Sequence, residues 1–574
     1  VKFPLYSSVS RVTSNLMPAR DCHRSAPAIV VGCLISVVVL RNFSRQCLQP
    51  SSLFSVLNVD GEKGCPKECK YAEADDPHTS PDQSSIPGEE NAGGSLNGAP
   101  IDLTVLDAFV GRLNDDDLLR NHCEPYWEEM VLQKDPTLQA LNNMSGSHVS
   151  LSMLADRALR LPIHKDTLVR LSVDDGRLFC HPPSRDVVSE ELKVASIKTT
   201  MVRVYLNRLS EAVGYVRDEL KLKLNGIHFT AHMSDCPVLW KNVDNVNVKE
   251  ERCAYGTAHF FNESAPPALL FSDAASPQWN WDVPVVPYNS HNDKEENRVR
   301  KHLSKMFYDE NGQFSANRFE RQWRKKRSGF FFVGRKSDAA RLIVACEVNA
   351  IDAELSESFY LTDAGNPIRQ RNNCTSDAMK LQKSRGCSAS HICRQESTGP
   401  EEWQDLLFRH KYVLDFPGLG PWSIRLRHLL LNGGLVFQQR RAFENTQFFD
   451  GPLKRYGVLI PFSEGNELVE KVRWFQEHDE VAKKAAWAAH TFAWNCLSPE
   501  GIRQFLIHLL LRLGHIGESW ENAAKAERQL SGTSESDEKT AEEQHASTAG
   551  LHVDLTDKDG VKRVVDLCSK GHVD

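Results

Sequence analysis

At 574 residues the chain is too long for one ordinary hydrophobic core, so two domains with appendages are expected. A formal net charge of −7 supplies no bulk electrostatic reason for nucleic-acid binding, and the 15 cysteines suit an oxidising compartment in which disulfides persist.

Residues 1–25 carry Arg11, Arg20 and Arg24 and lead into an uncharged apolar run at 26–40, APAIVVGCLISVVVL. That run is short for a membrane span of roughly 17–25 residues and equally resembles a signal-peptide core. The basic flank and the lack of a small-x-small cleavage site favour a type II signal anchor, with a cytoplasmic amino terminus and a lumenal body. Residues 41–100 are rich in Ser, Pro, Gly, Asp and Glu, which predicts a disordered stem. Apolar periodicity starts near Asp102, and Cys123-Glu-Pro-Tyr126-Trp127 opens the globular region. Apolar residues at helical spacing over 202–224 precede a short strand at 227–232. Alternating helices and short strands predict the α/β class.

The Trp- and Pro-containing segment 279–288 gives way to a charged helix at 292–306, a domain crossing that separates 101–300 from 301–515. In the second domain, Tyr412-Val413-Leu414-Asp415-Phe416 predicts a strand, and Pro417-Gly418-Leu419-Gly420-Pro421 breaks it. Ser423 is placed to cap a helix through Arg425 to Leu431, Gly433 and Gly434 to end it, and Leu435-Val436-Phe437 to resume a strand. Such a βαβ unit binds ligands beyond the carboxyl ends of its strands, and Arg425 adds positive charge there. Residues 466–494 and 498–513 predict further helices, the latter too short to cross a bilayer. The remainder, 516–574, reads as a polar tail whose Asp557 and Asp559 are simple charges. Cys374, Cys387 and Cys393, with His391, have gaps that fit no zinc finger, so a disulfide-stapled loop is expected. Sequons at Asn143, Asn262 and Asn373 fit a lumenal body.

Three blocks resemble the CAP10-like protein O-glucosyltransferase family, glycosyltransferase family 90. One is Lys411-Tyr412, Gly418, Ser423, Arg425 and Leu429 to Leu431. The second is Trp323 to Lys326 followed by Phe332, Gly334, Arg335, Ser337 and Arg341, and the third is Phe448-Phe449, Leu453, Tyr456 and Pro461. The resemblance implies a GT-B fold, in which two Rossmann-like domains face a cleft, 101–300 on the acceptor side and 301–515 on the nucleotide-sugar side. It further implies transfer of glucose or xylose from a UDP-sugar, with inversion, to a hydroxyl of a protein or glycan in the endoplasmic reticulum or Golgi lumen.

Such a transfer needs a base for the acceptor hydroxyl and positive charge for the departing diphosphate. Asp235, three residues past a strand and two before Pro237, matches the family's catalytic Asp, with Asp273 and Asp282 as rivals. Gly334, Arg335, Ser337, Arg341, Gly418, Gly420, Ser423 and Arg425 are the expected UDP-sugar site, because the planar fork of Arg suits phosphate. Glu444 is a candidate for the ribose hydroxyls; Trp279, Trp281 and Asp282 are candidates for the sugar or acceptor side. No metal or other cofactor is expected, since two arginines suffice for a diphosphate. The alternative is a non-catalytic lumenal carbohydrate-binding or scaffold protein that retains the fold.

Overall fold

The computed structural model describes residues 99–114, 123–124, 126–144, 149–161, 168–181, 196–232, 238–241, 259–261, 265–272, 282–284, 293–335, 339–362, 374–394, 400–417, 423, 425–440, 447–531 and 553–554. The 26–40 run, the stem up to residue 98 and Asp557/Asp559 lie outside these residues. Among the described residues no helix is long and apolar enough to cross a membrane.

The first half opens with helix α1 (Leu103–Asn114), a π-helical turn at Tyr126–Val131, α2 (Pro136–Asn143) and α3 (Leu151–Arg160). Local chemistry starts these helices: Asp135 accepts a hydrogen bond from Leu138 N ahead of Pro136, and Ser150 accepts one from Met153 N. Strands β1 (Leu168–Asp174) and β2 (Arg177–His181) form a hairpin. Its two turn residues, Asp175 and Gly176, both have positive φ, the geometry that Asp-Gly favours. Then come α4 (Ser196–Asp218), β3 (Ile227–His232), β4 (Leu239–Lys241), β5 (His259–Phe261), β6 (Leu270–Ser272) and β7 (Val283–Pro284).

The second half runs α5 (Asp293–Phe307), α6 (Ala316–Lys325), β8 (Arg327–Arg335), α7 (Ala339–Ile351), β9 (Ser358–Thr362), α8 (Cys374–Arg385), α9 (Ala389–Ile392), β10 (Cys393–Arg394), α10 (Pro400–Phe408) and β11 (His410–Asp415). It continues with α11 (Leu426–Leu431), β12 (Leu435–Gln439), α12 (Asp450–Arg455), β13 (Leu459–Phe462), α13 (Gly465–Glu477), α14 (Asp479–Asn495), α15 (Pro499–Ser531) and β14 (Val553–Asp554).

The α/β class is thus borne out: the described residues form two six-stranded sheets of different character and a two-stranded parallel sheet of β4 and β5. The first six-stranded sheet has the order β14-β2-β1-β3-β6-β7. It is mixed: β14, β2, β1 and β3 pair antiparallel, whereas β3, β6 and β7 run parallel. The second, β10-β9-β8-β11-β12-β13, is parallel throughout. Counted from β8, its order is 3-2-1-4-5-6, the doubly wound Rossmann order. Its central strands are buried on both faces, which accounts for the unbroken apolar runs Phe330-Phe331-Phe332, Tyr412-Val413-Leu414 and Leu435-Val436-Phe437. Helix α7 packs against α13, and α11 against α14.

Disulfides fix the edges. Cys346–Cys387 and Cys374–Cys393 together employ all three cysteines of the expected stapled loop, and Cys387 reaches back to α7. Cys123–Cys496 ties the opening of the globular region to the end of α14. Nearby, the Tyr126 hydroxyl donates to Phe449 O at 2.7 Å and Trp127 Nε1 to Gly501 O at 3.0 Å. The helix expected at 498–513 continues to Ser531, and buried Trp520 donates to Leu141 O at 3.2 Å.

Candidate active site

In a sheet of this order the connections on the two sides of β8 and β11 diverge, which leaves a crevice beyond their carboxyl ends. Gly334 lies at the end of β8, Arg341 in the first turn of α7, Asp415 at the end of β11, and Ser423 and Arg425 just before α11. Four of the expected residues, Gly334, Arg341, Ser423 and Arg425, therefore meet at one place. The helix begins at Leu426, one residue after Arg425, and is only six residues long. Instead of capping from within, Ser423 shapes the entry turn: its Oγ accepts from Arg425 N at 3.3 Å and its carbonyl from Leu426 N at 3.2 Å.

The Phe332 ring gathers the two arginines. The Arg341 guanidinium lies 5.5 Å and that of Arg425 5.7 Å from its centroid, within cation–π range. Arg341 is buried and donates from Nη2 to Phe416 O at 3.1 Å and to Pro417 O, so it also secures the chain leaving β11. Arg425 donates from Nη1 to Val333 O at 2.8 Å. Its guanidinium stands 5.9 Å from the Trp403 ring on α10. A side chain at position 334 would put Cβ 2.8 Å from Phe332 Cζ and 3.0 Å from Arg425 Nη1. The lack of one lets the arginine lie across the strand end.

Asp415 faces these cations from β11. It is buried, and Oδ2 accepts from Gln438 Nε2 of β12 at 3.0 Å. Burial raises its pKa; Ser423, Gln438 and the charges of Arg341 and Arg425 pull in the opposite direction without cancelling the rise. Gln447 Nε2 donates to Ser423 O at 3.0 Å and holds the entry turn from the far side. Among the described residues no group of three or more His, Cys, Asp or Glu side chains is placed to hold a metal ion. Chemically, the crevice offers two guanidinium groups, one buried carboxylate and a hydroxyl, a set suited to a multiply charged anion with hydroxyl groups.

Arg335 ends β8 opposite Thr362. Asp235, Asp273, Trp279, Trp281, Ser337, Gly418, Gly420 and Glu444 lie outside the described residues. Asp282 is buried, and its carboxylate accepts from Val238 N at 3.0 Å, Leu239 N at 2.7 Å and Ser272 Oγ at 2.6 Å. It thus joins the start of β4 to the end of β6 and the start of β7, and burial raises its pKa to about 6.

Several residues that carry the resemblance are structural. Lys411 pairs with Asp479 at 2.7 Å and lies 5.2 Å from the Trp323 ring, whose Nε1 donates to the same carboxylate, all near the amino ends of the strands. Lys326 is buried and donates to Phe408 O at 2.9 Å, and burial lowers its pKa to about 7. Phe448 and Phe449 pack in an aromatic cluster with Trp127 and Phe492. Conversely, Asp415, Phe332, Gln438, Gln447 and Trp403 were not singled out as site residues. Asp415 could have been, as the acidic residue closing an apolar strand at the break. Trp403 carries no local signal, because only the crossover from β10 to β11 brings it to the crevice.

Fold and crevice together define an α/β protein with a Rossmann-order sheet and a cation-lined switch point. Residues 309–519, the segment that contains this sheet, match the model of Glycosyl transferase family 90. Protein O-glucosyltransferase 2 of Danio rerio is 34% identical over 87 residues, 15% of this chain and 17% of the relative. The O-glucosyltransferase rumi homologs of Aedes aegypti and Anopheles gambiae are each 30% identical over 111 residues, 19% of this chain and 27% of the relative. The matched stretches therefore span about a quarter or less of these relatives.

Proposed function

We propose that the protein is a UDP-sugar-dependent glycosyltransferase that moves glucose or xylose, with inversion, to a hydroxyl of a protein or glycan. The observation that carries this reading is the convergence of Arg341 and Arg425 at the switch point of a sheet inside the family-matched segment. In this reaction the acceptor oxygen bonds to the anomeric carbon while the bond from that carbon to the β-phosphate oxygen breaks. UDP leaves with the electron pair, Arg341 and Arg425 meet its growing charge, and the acceptor proton passes to Asp235. Ser337, Gly418, Gly420 and Glu444 complete the nucleotide side, with Trp279 and Trp281 on the acceptor side.

The reading includes a GT-B arrangement, a lumenal location and an amino-terminal anchor. Two separate six-stranded sheets support the first, and the three disulfides among the described residues support an oxidising compartment. The test is release of UDP from UDP-glucose and UDP-xylose, alone and with candidate acceptors, together with calorimetric titration of UDP. Binding and release that survive EDTA are expected. Binding of sugar without UDP affinity points instead to a carbohydrate-binding scaffold, and complete loss on chelation, restored by manganese, overturns the two-arginine account.

A further inference from the structure

We propose that Trp403 is a positioning residue for the donor diphosphate: with Phe332 it clasps the Arg425 guanidinium at the end of β8 and aims it before ligand arrives. This inference rests on the reading of the crevice as a nucleoside-diphosphate site. Trp403 lies in the first turn of α10, and α10 leads into the amino end of β11. A helix that returns the chain to the start of a parallel strand begins at the opposite, carboxyl edge of the sheet. The indole is half-buried there, 6.1 Å from Phe331 and 5.9 Å from the Arg425 guanidinium. Phe332 stands 5.7 Å from the same guanidinium, and Val333 O takes a hydrogen bond from Nη1 at 2.8 Å.

The physical reason lies in the shape of the group. Arginine loses rotamer freedom when it is ordered, as a phosphate ligand must be. Aromatic contacts engage the flat face of a guanidinium and leave its N–H edge as the donating surface, so they order the side chain without competing for the phosphate. Gly334 contributes by leaving room for Nη1, which would stand 3.0 Å from a Cβ there. A Trp that merely fills the core beside Phe331 would show no energetic coupling to the charge of Arg425.

The test is a double-mutant cycle on the full chain, with UDP, UMP and uridine as probes. Trp403→Met is expected to weaken UDP by about tenfold, UMP less, and uridine not at all. In an Arg425→Ala background the same change should add no further loss, and Trp403→Phe, which keeps an aromatic face, should bind UDP within about threefold of the parent. Trp403→Gln serves as the second variant should Trp403→Met not fold, with thermal melting as the check. Unchanged UDP affinity, an additive loss in the Arg425→Ala background, or an equal loss for uridine overturns the inference while leaving the site reading intact. A parent that binds no UDP overturns both.

Discussion

At the scale of single residues, the crevice depends on one missing side chain. A Cβ at position 334 would meet Phe332 Cζ at 2.8 Å, and Phe332 has little room to yield, because its ring packs against Phe359 and Phe416. Gly334→Ala is therefore expected to cost about 1–3 kcal/mol of stability, the usual scale of overpacking. It should also weaken UDP binding by displacing Arg425. Denaturant unfolding and UDP titration read the two effects separately; an alanine variant with parental values for both would show that the strand end relaxes freely. Gly334, Arg341, Ser423 and Arg425, which the family resemblance and the fit of arginine to phosphate singled out, meet at the ends of β8 and β11. Phe332 and Trp403 were not legible as site residues, since aromatic residues in apolar surroundings look like core, and here they are core on one side and a support for cations on the other.

At the scale of elements, the expected strand at 227–232 and the expected charged helix at 292–306 correspond closely to β3 and α5. The length of α15 was less legible. Its carboxyl half is polar and looks like a solvated tail until Trp520 is seen bonded to Leu141 O. Asp282 shows the same limit, for sequence reading placed it on the sugar or acceptor side whereas its oxygens join β4 to β6 and β7. Burial raises its pKa from 3.8 to about 6, with the bonds from Ser272, Val238 and Leu239 acting against the rise. In the window between those values the folded state holds more protons than the unfolded one, so this group's contribution is fully present below about 3.8 and is lost as pH rises through about 6. Asp282→Asn removes that titration. The parent should gain on the variant, by up to the order of 3 kcal/mol, as pH falls from 7 to 4. Urea unfolding of both proteins across that range checks it, and a difference independent of pH would mean that the carboxylate keeps an ordinary pKa.

At the scale of the whole molecule, the proposed reaction divides its chemistry between the parallel sheet and the mixed sheet. Cys123–Cys496 spans a sequence separation of 373 residues, so the opening segment and the helices after the parallel sheet are held together covalently. No spacing rule could have paired these two cysteines, because connectivity in a chain with 15 of them follows from the fold. Asp235 follows β3 of the mixed sheet in sequence, whereas Arg341 and Arg425 belong to the parallel sheet's switch point. If Asp235 is the base, base and leaving-group charge belong to separate sheets and can be lost independently. Asp235→Asn keeps the size of the side chain and much of its hydrogen bonding but cannot take the acceptor proton. Turnover should fall by roughly 100-fold or more, the scale of general-base catalysis, while UDP affinity stays near the parental value. Transfer assays with UDP-glucose and UDP-xylose, run beside UDP titrations, decide the matter. Unchanged turnover would remove Asp235 from the role and bring Asp273 forward, since Asp282 is already occupied with the backbone of β4. A parallel loss of UDP affinity would mean that the substitution had disturbed the fold instead of the proton transfer.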